Sequence, residues 1–140
     1  MVYLTRKAEF SASHYYHNPA LTPEENQRLF GKCNNPNGHG HNYVILVTVA
    51  GAINERTGLA TDIAALDRIV RETVVARFDH RDLNADPAFA DKTTTGENLA
   101  ILIWDLLVDK IPAGRLVNIG VVETRDNYFD YAGPAAAGVK

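Results

Sequence analysis

The stretch "GKCNNPNGHGHNY", residues 31–43, gathers the chain's single cysteine, Cys33, and two of its five histidines, His39 and His41. One glycine separates the two histidines, at the head of the apolar run "VILVTVAG". In an extended chain, residues i and i+2 point to the same side, and Gly40 adds no bulk between them. Two imidazoles on one face can grip one ion, and histidine is a preferred zinc ligand. A third, His14, ends the alternating segment "VYLTRKAEFSASH" (2–14) on its apolar face. If the two segments pair as strands, three neutral rings converge and leave one coordination position open, the arrangement of a catalytic zinc. A His-x-His pair can also mark nothing more than a polar strand end. Cys33 reads three ways: a fourth ligand closing a structural zinc site, an inert buried thiol, or a reactive thiolate beside Lys32. Spacing alone does not choose among them.

Two further places carry chemistry. Asp79 and His80 are neighbours in "DHRDLN" (79–84). An aspartate can orient and tune an adjoining imidazole for proton transfer. The plainer reading is a helix end, with His80 at its negative pole. Glu123 lies in "GVVETR", in step with Ile119 and Val121, which are expected to face inward. A carboxylate there is costly unless it is paired or reads a ligand. Its two acceptor oxygens suit the paired N–H donors of a guanidine-like heterocycle. A salt bridge to Arg125 is the alternative. Glu97 already has a structural explanation, a capping box with Thr94.

The elements that must position these residues follow from periodicity. Residues 2–14 alternate as a strand with one buried face. Residues 15–38 read as a long loop, with "TPEENQRLF" a short helical turn capped by Thr22 and opened by Pro23. Residues 39–53 form a second strand, apolar on both faces, so both are expected to be covered. After a turn at 54–58, Ile63, Leu66, Ile69, Val70, Thr73, Val74 and Phe78 make a helical stripe over 62–78, capped by Asp62 or Thr61. A second helix spans 95–111, with Leu99, Leu102, Ile103, Leu106 and Leu107 inward, and ends at Pro112 and Gly114. Strands at 115–125 and 127–133 follow, and "PAAAGVK" reads as a mobile tail. The order ββααββ, without βαβ alternation, predicts an antiparallel α+β fold.

The 140 residues suit one domain over 1–140. A net charge of −3 argues against a broad nucleic-acid surface. A lone cysteine cannot form an intrachain disulfide. The opening "MVYLTRKAEF" has no signal-peptide core and no apolar run is long enough for a bilayer, so a soluble cytoplasmic protein is expected, with no membrane or nucleic-acid partner.

Together these residues resemble the 6-pyruvoyl-tetrahydropterin synthase family, which includes the 6-carboxy-tetrahydropterin synthases. "FSASH" is similar to the family's first zinc motif, and "LFGKCNNPNGHGHNY" to its cysteine-plus-zinc motif. "FDHRDLN" resembles its Asp-His segment, "TTTGEN" its substrate-binding helix start, and "VVET" its pterin-anchoring strand. The five occur in order over nearly the whole chain. The resemblance implies the tunnelling fold (T-fold): a four-stranded antiparallel sheet with two helices on one face. It also implies trimers whose sheets close a barrel, stacked as a homohexamer, with active sites between subunits. It implies zinc on His14, His39 and His41. Cys33 would be the catalytic base, Asp79 and His80 would complete the proton-transfer set, and Glu123 would hold the pterin with Thr95 and Glu97. The implied activity is a zinc-dependent lyase of tetrahydrobiopterin-type synthesis. It would convert 7,8-dihydroneopterin triphosphate to 6-pyruvoyl-tetrahydropterin with loss of triphosphate.

The rival branch makes 6-carboxy-tetrahydropterin, releases acetaldehyde and serves queuosine and deazapurine synthesis. A zinc- and pterin-binding module without turnover is a third reading, and the joint presence of Cys33, Asp79, His80 and Glu123 argues against it. Five residues, Asn34 to Gly38, separate Cys33 from His39. The carboxy-forming relatives usually have a shorter spacer, so this length favours the pyruvoyl product. Gly96 stands where members usually carry Thr or Ala, which predicts one looser pterin contact.

Overall fold

A computed structural model describes residues 1–135. In chain order the elements are β1 (Val2–His14), α1 (Pro23–Phe30), β2 (His39–Gly51) and α2, which runs from Ile63–Val70 through a wider π turn at Arg71–Val75 into Ala76–Phe78. They continue with β3 (Arg81–Asp82), α3 (Gly96–Leu107), β4 (Arg115–Thr124) and β5 (Asn127–Tyr131). β1 and β2 pair antiparallel along their whole length, with His14 opposite His39 and Ala12 opposite His41. The two histidine-bearing strands are therefore hydrogen-bonded at the end where the imidazoles lie. β2 pairs with β4, and β4 with β5, both antiparallel.

The sheet order is β3-β1-β2-β4-β5. The α+β class and the four antiparallel strands match the sequence reading. β3 corrects it: Arg81 and Asp82 pair parallel with Ala12 and Ser13, so the sheet among the described residues is five-stranded and mixed. The helix count is corrected too. "TPEENQRLF" folds into a two-turn helix, α1, with a complete capping box between Thr22 and Glu25. This gives three helices among the described residues, rather than the two of the expected T-fold layer.

α2 starts where Asp62 accepts the Ala65 N–H at 3.0 Å. Its buried residues Leu66, Val70, Val74 and Phe78 recur every four positions. In an ideal helix each such step drifts the stripe by ~40°, and the wider turn at Arg71–Val75 takes part of that drift back. α3 is capped by Thr95, which accepts the Asn98 N–H at 3.2 Å. The expected Thr94–Glu97 box does not form, because Thr94 is buried under His14. α3 ends at Leu107, four residues early, and Leu102 and Leu106 are only half-buried. Leu99, Ile103 and Leu107 pack from α3, with Leu66, Val74 and Phe78 from α2, onto Phe10, Tyr43, Ile45, Val47, Ile119 and Val121 of the sheet. The opposite sheet face carries half-buried Val44, Leu46 and Val122. The tail reading lies, from residue 136 on, outside the described residues.

Candidate metal centre and active site

His14, His39 and His41 meet at one end of the β1–β2 ladder. Their ring centroids are 4.8, 5.0 and 4.9 Å apart, and their candidate ligand atoms all lie within 4.8 Å of one another. His14 is 1% exposed. Its Nδ1 lies 2.8 Å from the Thr94 carbonyl. A carbonyl only accepts, so Nδ1 carries the proton and Nε2 presents a lone pair. The Nε2 atoms of His14 and His41 are buried without any hydrogen-bond partner. Two buried ring nitrogens without a partner, beside a third imidazole, are the donor set a metal ion satisfies. Burial lowers the pKa of His14, against the Thr94 hydrogen bond, and lowers that of His41, against the Glu123 charge. Both shifts favour the neutral, ligating form.

Cys33 closes the short 3₁₀ turn Gly31–Cys33 and stays outside the metal group. It shares a cavity of about 600 Å³ with Lys32, His39, His41 and Glu123. Glu123 is 7% exposed. Its Oε1 lies 3.6 Å from His41 Nε2, and its Oε2 accepts the Tyr16 phenol at 3.3 Å. The alternative salt bridge is absent among the described contacts; Arg125 instead lies 3.7 Å from Asp126 at the surface. Burial foremost, and then the Glu123 charge, raises the pKa of the Tyr16 and Tyr43 phenols, so both remain protonated.

Asp79 and His80 sit on the outer edge of β1. Asp79 accepts the Ser11 N–H at 3.0 Å and meets His80 Nδ1 at 3.0 Å. The Ser11 N–H is the main reason its carboxyl titrates below the usual range. His80 donates its N–H to the Ser11 carbonyl at 2.6 Å. It adopts φ of +58° and presents an 83% exposed side chain. A left-handed histidine costs free energy and needs its neighbours to hold it. Within one chain the pair does not line the cavity of Cys33; His80 lines a separate cleft with Ser11, Ser13 and His41. Thr95 and Glu97 also lie off that cavity. The Thr95 hydroxyl caps α3, and Glu97 is exposed.

Residues 3–134 match the sequence profile of the family described as 6-pyruvoyl tetrahydropterin synthase. The chain belongs to this family. It is 46% identical to the human 6-pyruvoyl tetrahydrobiopterin synthase over 131 residues, 93% of this chain and 90% of that one. It is 40% identical to the Dictyostelium discoideum protein of the same name over 133 residues, 94% and 96% of the two chains. The solved structure of the Caenorhabditis elegans 6-pyruvoyl tetrahydropterin synthase superposes with a TM-score of 0.90 at 36% identity, covering 95% of this chain and 96% of that one.

Gly96, which the resemblance marked as a departure, has a packing reason in the structure. A Cβ there would fall 2.8 Å from Phe129 Cζ and closer still to Cδ2 and Cε2. The small residue makes room for the Phe129 ring on β5. Several site residues escaped the sequence reading. Thr94 orients His14. Asn84 grips both the N–H and the carbonyl of Tyr15, at 2.9 and 3.0 Å. Tyr43 places its hydroxyl 3.2 Å from His14 Nδ1. All three fall inside motifs already singled out, Thr94 in "TTTGEN", Asn84 at the end of "DHRDLN" and Tyr43 at the end of "GKCNNPNGHGHNY", but nothing local gave their partners.

Proposed function

We propose that this protein is a zinc-dependent lyase that converts 7,8-dihydroneopterin triphosphate to 6-pyruvoyl-tetrahydropterin with elimination of triphosphate. The observation that carries the reading is a cluster of three metal-ready imidazoles, two of which, His39 and His41, line a cavity that also holds Cys33 and Glu123. The identity to relatives named 6-pyruvoyl tetrahydrobiopterin synthase supports it.

His14, His39 and His41 would hold the zinc, and Cys33 would stay outside its ligand set. Zinc, when bound there, supplies a Lewis acid beside the pterin's side-chain hydroxyls. Glu123 accepts paired N–H groups of the pterin ring and so aims the side chain at the imidazoles. Cys33, on the same cavity, removes a proton from that side chain. The Asp79–His80 pair handles the second proton. Because the pair lies away from Cys33 in one chain, it acts on the cavity of a neighbouring copy. Thr95 and Glu97 reach the pterin in the same shared arrangement. The apolar strip Val44, Leu46 and Val122 on the second face of the sheet supports a barrel-closing homohexamer of single-domain subunits, which would work in the cytoplasm. No helix among the described residues is long and apolar enough to cross a membrane.

The test is anaerobic incubation of purified protein with 7,8-dihydroneopterin triphosphate. Triphosphate and 6-pyruvoyl-tetrahydropterin in equal amounts are expected. Acetaldehyde released in step with 6-carboxy-tetrahydropterin would overturn the product assignment, and no turnover by the zinc-loaded protein would overturn the enzyme.

A further inference from the structure

Tyr16 lies in the loop after β1 and touches three parts of the site at once. Its N–H donates to the Cys33 carbonyl at 2.7 Å, and its own carbonyl accepts Asn34 Nδ2 at 2.7 Å. Its ring meets His14 edge-on, with centroids 5.0 Å apart, and Phe30 at 5.7 Å. Its hydroxyl donates to Glu123 Oε2 at 3.3 Å, across 107 residues of sequence. Glu123 lines the cavity and Tyr16 does not.

We propose that Tyr16 is a positioning residue for pterin recognition. Its phenol fixes the rotamer of Glu123, while its main chain fixes the Cys33 turn relative to the same carboxylate. The proposal rests on the reading of Glu123 as the pterin anchor. A glutamate is a flexible anchor, because several torsions must be frozen before two oxygens can meet two N–H groups together. It also has a competing partner: Oε1 is 3.6 Å from His41 Nε2, so a loosened carboxylate can swing toward the imidazole cluster. A carboxylate oxygen has two lone-pair sites. Oε2 can therefore hold the phenol and still accept from a ligand, and Oε1, beyond hydrogen-bond distance of His41, keeps its full capacity. The backbone bonds from residue 16 to Cys33 and Asn34 survive substitution of the side chain. Tyr16→Phe thus removes the tether to Glu123 and leaves the Cys33 turn and the ring packing intact.

The experiment is a fluorescence titration with neopterin, whose oxidised ring and missing triphosphate prevent turnover, on wild type, Tyr16→Phe, Glu123→Ala and the double variant. Steady-state kinetics and thermal midpoints are measured in parallel. Tyr16→Phe should weaken neopterin binding and raise KM by about tenfold, the low end for a hydrogen bond to a charged group. It should leave kcat within about twofold and the midpoint unchanged, a split that general loosening of the fold would not give. In the Glu123→Ala background the same change should add less than about twofold, because the phenol acts through the carboxylate. Wild-type neopterin affinity in Tyr16→Phe, or losses that multiply fully in the double variant, would overturn the positioning role alone. Wild-type affinity in Glu123→Ala would overturn the anchor itself, and the positioning role with it.

Discussion

Replacing Gly96 by alanine should destabilise this chain. The added Cβ would lie 2.8 Å from Phe129 Cζ and closer to two other ring atoms. Carbon atoms rest at about 3.5–4.0 Å, so the ring must retreat by roughly 1 Å or more. Phe129 is held opposite Val121 in the β4–β5 ladder and packs against the core, so that retreat strains β5. Overpacking of this kind costs about 1–3 kcal/mol. The gain in helix propensity from Gly to Ala offsets at most ~1 kcal/mol, and less at the first turn. The net expectation is a loss of about 1–2 kcal/mol, or roughly 3–8 °C in Tm for a chain of this size. Urea and thermal unfolding at fixed protein and zinc concentration would measure it. Gly96→Ala combined with Phe129→Leu should recover most of the loss. An unchanged or raised Tm in Gly96→Ala would refute the argument that Phe129 occupies the space the side chain needs.

Other consequences can be checked in the same preparations. Cys33→Ala should keep its zinc and its neopterin affinity but lose about 10²–10⁴-fold in turnover; near-normal turnover would remove Cys33 as the base. Cys33→Ala and His80→Ala subunits, each inactive alone, should regain activity when denatured and refolded together, since mixed assemblies contain some sites with both residues; a mixture as inactive as its parts would place the whole site in one chain. The Asp86 carboxyl is held below its usual range chiefly by hydrogen bonds from Arg77, at 2.9 Å. Its stabilisation is therefore present above the unfolded value near pH ~4 and is lost as pH falls through the folded value. Asp86→Asn should cost about 0.5–1 kcal/mol at pH 7 and progressively less in urea unfolding as the pH is lowered below ~4; a cost that does not change with pH would assign the effect to packing instead.

The metal triad was legible because alternation is local. In β1 and β2 the chain shows which side each histidine takes, and the loop that joins the strands brings their histidine-bearing ends together. The inward Glu123 was legible for the same reason. What the sequence hid depends on contacts between distant segments. β3 is two residues long and exists only because the backbone at 80–82 runs beside Ser11 and Ser13. In "TTTGEN", three threonines offer equal caps. The choice of Thr95 follows from Thr94 turning inward, where its carbonyl accepts from His14 and its hydroxyl lies 3.2 Å from the Tyr15 carbonyl. Nothing local marks Tyr16, whose hydroxyl partner is on β4. The separation of Asp79–His80 from Cys33 is likewise a property of the folded chain, invisible in a motif that reads the same wherever it lies.

The central claim is an open metal centre of three imidazoles, with Cys33 beside it but not on it. The optical spectrum of the cobalt-substituted, substrate-free protein tests this most directly. Three nitrogen donors should give visible ligand-field bands that persist in Cys33→Ala, with no intense thiolate-to-cobalt band in the near ultraviolet. An intense near-ultraviolet band that disappears in Cys33→Ala would show a sulfur ligand and a closed site, and would contradict the account.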